Sequence, residues 1–319
     1  MATRLWIVIV IGAACLSAQS PKTAKFVPSR TAFGQPDLQG VWTNATLTPL
    51  ERPAALASKA FFTPAEAGAF EKQAQESNNR DRRGTDATSD LAGAYNQAWF
   101  DRGTKVVSTL RTSLIVDPDD GKIPYTADGR KRLSAAADFA RAHPADGPED
   151  LALADRCLLW ATAGPPMLPG PYNSNYQIFQ TPEYVAILVE MIHDVRIIPL
   201  DGRPHLASGM REWLGDSRGH WEGNTLVVET TNFTYKSHFR GATENMRLIE
   251  RFTRTDADTL TYDFTVEDPA TFLKPWSASI PMTKSPGPIY EYACHEGNYA
   301  IPGILGGARA QEAAAKGGK

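Results

Sequence analysis

Cysteine is scarce in this chain, and so are the arrangements that would make it a metal or redox site. Only Cys15, Cys157 and Cys294 occur. Neither they nor the histidines show the close spacing of a zinc site or a redox pair. An excess of one charge is lacking too: 33 Lys and Arg stand against 36 Asp and Glu, a formal net charge of −3. Without a basic field to neutralise phosphates, a nucleic-acid partner has no electrostatic footprint. Past the N-terminal stretch no apolar run approaches the ~20 residues of a membrane helix, so the mature chain has no transmembrane segment. No nucleophile elbow, dinucleotide fingerprint or internal repeat occurs. Gly303-Ile304-Leu305-Gly306-Gly307 lacks the lysine and the strand-to-helix setting of a phosphate loop. Nothing in the chain names a cofactor. Turn formers are plentiful, with 25 Gly and 23 Pro, which favours short elements over long helices.

The N-terminus reads as an export signal over residues 1–20. Arg4 precedes an apolar run from Leu5 to Leu16, and small and polar residues continue to Ser20. Cleavage after Ala18 puts Leu16 where a small residue is preferred. Ala13-Ala14-Cys15 offers the alternative of a lipoprotein anchored at Cys15, although Gly12 stands where Leu is usual. Both routes take the mature protein out of the cytoplasm, to the periplasm or beyond. Cys157 and Cys294 then meet an oxidising compartment and are expected to form a disulfide.

Strands dominate from Tyr176 onward. The candidates are 176–180, 184–192, 195–200, 218–222, 225–231, 247–254, 260–266, 275–282 and 289–293. Short connections between successive strands predict a mainly β fold, an antiparallel meander forming a barrel or a sandwich, within a β-rich region spanning 171–307. Residues 21–170 form an irregular and helical region packed on it. In that region Thr63-Pro64-Ala65-Glu66 sets up a capping box for a helix to about Ser77, and 130–141 has helical spacing. Strand candidates there are 37–42, then 111–116 with a return over 123–125. The Pro/Gly/Asn-rich passage from Gly164 to Asn175, with Tyr172 inside it and Tyr176 just beyond, is a long loop of the kind that is often functional. Residues 308–319 make a frayed or weakly helical tail.

The run Arg218-Gly219-His220-Trp221-Glu222-Gly223-Asn224-Thr225-Leu226-Val227-Val228-Glu229 reads as a hairpin turning at Gly223-Asn224. Its register sets Glu222 opposite Thr225, Trp221 opposite Leu226, His220 opposite Val227 and Arg218 opposite Glu229. One face holds Trp221, Leu226 and Val228; the other holds Arg218, His220, Glu222 and Glu229. The polar face suits a barrel lumen or a wet outer surface.

Long motifs carry a resemblance. Arg196-Ile197-Ile198-Pro199-Leu200-Asp201-Gly202-Arg203-Pro204-His205, Gly215-Asp216-Ser217-Arg218-Gly219-His220-Trp221-Glu222-Gly223 and Tyr292-Ala293-Cys294-His295-Glu296-Gly297-Asn298-Tyr299 resemble those of a group of exported bacterial proteins. The likeness extends over most of the mature chain, including Arg111–Pro118. It implies export and brings no catalytic assignment. Gly40-x-Trp42 is similar to the lipocalin signature, on three positions of a chain much longer than a simple lipocalin.

Five histidines fall in the strand-rich half: His193, His205, His220, His238 and His295. Each is a potential acid, base or ligand, or a hydrogen-bonded structural residue. His220, flanked by Arg218 and Glu222, is the strongest. A five-residue turn over 255–259 would place Glu250 opposite Phe264 on an apolar face, whereas a loop one residue shorter would put it on the other face. On the apolar face a carboxylate either rises in pKa and serves acid–base work or pairs with an arginine of a neighbouring strand. A disulfide at Cys294 would hold His295 and Glu296 in place. Trp221, Trp276, Tyr172 and Tyr176 are ring-stacking candidates or core. Two functions follow for an exported barrel with a small organic ligand, a sugar or an aromatic. In one, His220, Glu222, Glu250 and His295 supply a lyase, isomerase or hydrolase step with Arg218 holding negative charge; in the other, the same pocket only binds. Convergence of these residues in one concave site separates the first from the second.

Overall fold

The computed structural model describes residues 26–82, 86, 90, 96–160, 162–237 and 239–317. The export signal over 1–20 and His238 lie outside them. The strands are β1 (Gly40–Thr43), β2 (Ile115–Asp117), β3 (Asn175–Gln180), β4 (Tyr184–Val189), β5 (Val195–Pro199), β6 (Asp216–Glu222), β7 (Thr225–Thr231), β8 (Arg247–Arg254), β9 (Thr259–Glu267) and β10 (Trp276–Lys284). They form one antiparallel sheet in the order β5-β4-β3-β1-β10-β9-β8-β7-β6, with β2 paired to β10 off this path. The sheet curls until its two ends meet, giving a nearly closed barrel. At that seam Gly219 of β6 leaves room for β5, since a Cβ there would lie 2.8 Å from side-chain carbons of both Ile198 and Leu200. Arg196 Nη2 crosses the same seam to Ser217 Oγ at 3.3 Å.

Both hairpin registers read from the sequence are present. Trp221 pairs with Leu226, His220 with Val227 and Arg218 with Glu229, and Gly223 takes the positive φ of +60° that its turn needs. Across the 255–259 turn, Glu250 pairs with Phe264 and Phe252 with Tyr262. Inward positions alternate along each strand: Leu226 and Val228, Phe252, then Leu260, Tyr262 and Phe264 are all buried. Small barrels fill their interior with side chains, and this one does so with apolar groups around a narrow polar strip.

Several expectations need correction. The region 21–170 does more than pack on the barrel. It supplies β1, which sits between β3 and β10, and β2. The strand expected at 111–116 shrinks to Ile115–Asp117, and its return is a single bridge from Tyr125 to Phe272. Residues 289–293 form no strand. They run past the end of β10 and are held by side chains, with Tyr290 N donating to Glu190 Oε1 and the His193 ring meeting Tyr292 O. Of the two states expected for the tail, the helical one occurs as far as Gly317, as part of a helix, Ala300–Gly317 (α3 below), whose Ala-rich sequence favours that state. Arg309 fastens it through hydrogen bonds to Ala145 O and Asp146 O. The predicted bridge between Cys157 and Cys294 is present, with Cα atoms 5.9 Å apart. Among the described residues no helix is long and apolar enough to cross a membrane.

Among the described residues the other α-helices are α1 (Pro64–Asn78) and α2 (Ala127–Ala142). Thr126 caps α2 by accepting from Gly129 N at 2.9 Å, which starts that helix three residues before the predicted point. The capping box of α1 is complete: Thr63 Oγ1 accepts from Glu66 N at 3.3 Å, and Thr63 N donates to Glu66 Oε2 at 2.8 Å. Lys59 first, then the Thr63 amide and hydroxyl, pull the Glu66 carboxyl from 4.5 down to about 2. A carboxyl whose folded pKa is depressed contributes fully above its unfolded value, and loses that contribution as pH falls through the folded one. The amides of the first turn of α1 should therefore keep their exchange protection at pH 5 and lose it progressively on the way to about pH 2. Glu66→Gln should flatten that dependence in hydrogen-exchange measurements; an unchanged profile would remove the cap from the account.

Candidate functional site

The residues that sequence reasoning gathered into one pocket fall on opposite sides of the barrel wall. Glu250 is fully buried, on the inner face of β8. It accepts from Arg196 Nη1 at 3.1 Å and Nη2 at 2.6 Å, and from Tyr262 Oη at 2.8 Å. The structure thus selects the ion pair with an arginine, here from β5 across the closing seam. Burial works against the charge on Arg196, and the Glu250 carboxylate more than offsets it, holding the guanidinium above its ordinary range. Burial, then the adjacent carboxylate, pushes the Tyr262 hydroxyl well above its usual value. That hydroxyl also accepts from Met167 N at 3.0 Å. Tyr176, likewise buried, donates to Thr162 O at 2.8 Å and accepts from Asn44 Nδ2 at 3.1 Å. These bonds join the buried groups into a polar strip that fills the lumen, although Arg196 Nε, Asn44 Oδ1 and Thr162 Oγ1 are buried with no partner among the described residues.

His220 and Glu222 point the other way. Their side chains are 61% and 49% exposed, and they pair with each other at 3.2 Å. Arg251, and secondarily His220, hold the Glu222 carboxyl below its ordinary range. Arg218 pairs with Asp216 at 3.0 Å, and His205 lies between Asp216 (2.8 Å) and Glu229 (3.2 Å). The polar stripe is therefore an outer surface of paired charges, because Leu226, Val228 and their neighbours claim the interior. His295 sits in the exposed arm before α3. Trp221 does face inward but is only half-buried, since it lies one residue from the open end of the hairpin. Trp276 and Tyr176 are core. Tyr172 is half-buried, in ring contact with Phe100 and Trp160 at 6.1 Å each.

Concave surface occurs elsewhere, including the barrel end spanned by the β7–β8 connection and the 159–172 passage. Two clefts open on either side of these segments. Arg240 and residues 168–171 line one, of about 440 Å³, together with Thr46, Thr48, Asn78 and Arg102. Phe239 and residues 164–166 line the other, of about 220 Å³, with Trp160 and Trp213. In both segments the division falls between near neighbours in sequence, with Met167 buried at the boundary.

The first cleft is cationic. No Asp, Glu or His is among its described lining residues. Arg102 stacks over the Phe100 ring at 4.9 Å, and Arg80 over the same ring at 5.4 Å. Burial, then the like charge of Arg80, lowers the Arg102 pKa, and Arg102 Nε is buried without a partner. Thr48 Oγ1 accepts from Val107 N, which leaves its hydroxyl hydrogen free to donate. Such a set can hold an anion by charge-assisted hydrogen bonds. No group of three or more His, Cys, Asp and Glu side chains suited to a metal ion occurs among the described residues.

Sequence reasoning singled out the 164–175 passage, which lines both clefts, but missed Arg102, Arg240, Trp160 and Trp213. Two arginines 138 positions apart give no local pattern; Trp160, twelve residues before Tyr172, was within reach of an aromatic count. No protein-family model, curated protein or solved structure matches this chain.

Proposed function

We propose that the protein is an exported small-ligand-binding barrel whose ligand is a small organic anion seated between Arg102 and Arg240. The observation that carries this reading is the pair of arginines facing a cleft with no acidic lining residue. A volume of about 440 Å³ suits a single ring acid or a similar carboxylate or sulfate. Binding is favoured over turnover because no carboxylate or imidazole lines the cleft among the described residues. The acid–base set of His220, Glu222, Glu250 and His295 would need groups that lie on opposite faces of one sheet to act together. Export rests on the signal over 1–20 and on the resemblance to exported bacterial proteins, and the disulfide supports it.

Thermal shift and calorimetry on the mature protein with benzoate, glucuronate, citrate and aryl sulfates test the proposal. At least one of these should raise the melting temperature, with affinity falling as salt is added. Arg102→Ala should weaken binding roughly 10–100-fold, as loss of a charge-assisted hydrogen bond does. Silence from every organic anion, or binding indifferent to both Arg102→Ala and Arg240→Ala, would reject it.

A further inference from the structure

The geometry points to the second cleft as a separate binding site for one uncharged aromatic ring. Its wall is formed by Leu159, Trp160, Trp213, Phe233, Phe239 and the Pro165-Pro166 pair, and among the described residues no charged one lines it. An apolar cavity of about 150 Å³ accepts benzene; this cleft, at about 220 Å³, accepts a six-membered ring with one or two small substituents. Phe239 is fixed from behind by stacking on Trp276 at 6.1 Å, so that wall is a rigid aromatic surface. Trp160 is braced by Tyr172.

Among the described lining residues the side-chain polar groups are few. The Trp160 and Trp213 indoles bring N–H donors, and Ser237 Oγ is spent as a donor to Thr234 O. A sugar ring would bring several hydroxyls here and find almost no side-chain acceptors, leaving buried polar groups unpaired. A phenol or indole brings one polar atom, which an indole N–H or the Ser237 oxygen can meet. Chemistry therefore selects the aromatic ring over the sugar. The site draws on the same two segments as the cationic cleft but shares none of its described lining residues, so it stands whether or not an anion binds next door.

The test is calorimetry and ligand-observed NMR with phenol, using methyl glucoside as the saccharide control. Phenol should bind saturably, with methyl glucoside at least tenfold weaker. Leu159→Trp, which fills the cleft, and Trp213→Ala, which removes a wall, should each weaken phenol tenfold or more. Circular dichroism establishes that both variants are folded. Arg102→Ala should leave phenol affinity within twofold. Absence of saturable phenol binding, equal binding of methyl glucoside, or phenol affinity unmoved in both cleft variants would overturn the assignment. Loss of phenol binding in Arg102→Ala would place the ring in the cationic cleft and overturn it as well.

Discussion

Glu250→Ala should cost the protein about 3–5 kcal/mol, because it strands a buried guanidinium with no carboxylate. Arg196 is 2% exposed in its side chain and Glu250 not at all. A water in the vacated space could hydrogen-bond the guanidinium but would not neutralise its charge. Tyr262 would lose its acceptor in the same step and be left with a buried hydroxyl donor unpaired. The pair also spans the seam, joining β5 to β8 across the lumen, so its loss should loosen the one junction that lacks a hydrogen-bonded ladder. Against a total stability of ordinary size, about 5–15 kcal/mol, this is a large fraction. The double variant Arg196→Met, Glu250→Leu should recover most of the loss, since removing both charges removes the desolvation problem along with the attraction. Urea denaturation measures all three proteins. A single variant as stable as the parent would show that the pair holds nothing. A double variant worse than Glu250→Ala would show that the polar strip, rather than burial, specifies the lumen.

The strand registers were legible because local chemistry fixes them. Gly223-Asn224 admits one tight turn, and the five-residue connection before Leu260 sets every pair from Glu250 to Phe264. Closure was not legible. It depends on β1 entering between β3 and β10, with Trp42 opposite both Tyr176 and Lys284, partners more than a hundred positions away. It depends also on a glycine at 219 that lets β5 approach, and nothing in the hairpin reveals what lies outside it. Barrel and sandwich therefore stayed open until the ends of the sheet could be placed.

The candidate site shows the same division. A hairpin with one apolar and one polar face fixes which residues share a side, but leaves open which side is the interior. The polar face became the outer one because Leu226, Val228 and Phe252 supply the burial that folding needs, while the charges opposite them pair in water at little cost. Glu250 illustrates the reverse case. Its apolar face-mates predicted burial, and the arginine that satisfies it comes from a strand outside its own hairpins. The clefts were the least legible feature, being assembled from the 44–52, 97–105, 159–172 and 232–246 segments, whose proximity is a product of the closed barrel.

Severing the bridge between Cys157 and Cys294 should lower stability by about 2–5 kcal/mol, through the unfolded chain more than through native contacts. The bridge closes a loop of 137 positions. For that length the chain-entropy relation gives about 5 kcal/mol, an upper value because denatured chains keep residual structure. The native effect should be local. Residues 285–317 return along the barrel as an arm, and besides the bridge they are held by Tyr290 N on Glu190, the His193 ring on Tyr292 O, and Arg309 on two carbonyls. With the bridge gone, these exposed or half-exposed bonds must hold the arm together with Ser285 N on Val41 O and the packing of Tyr292 on the core. In Cys157→Ser, Cys294→Ser the amides of α3 should exchange faster, while those of β7, β8 and β9 stay protected until global unfolding. Segment 153–160, which lines the aromatic cleft, should loosen together with the arm, so phenol binding should weaken in the same variant. Two free thiols in non-reducing mass spectrometry of exported material would remove the bridge from the account. A serine variant that melts with the parent would show that the arm and its loop were already fixed by the barrel.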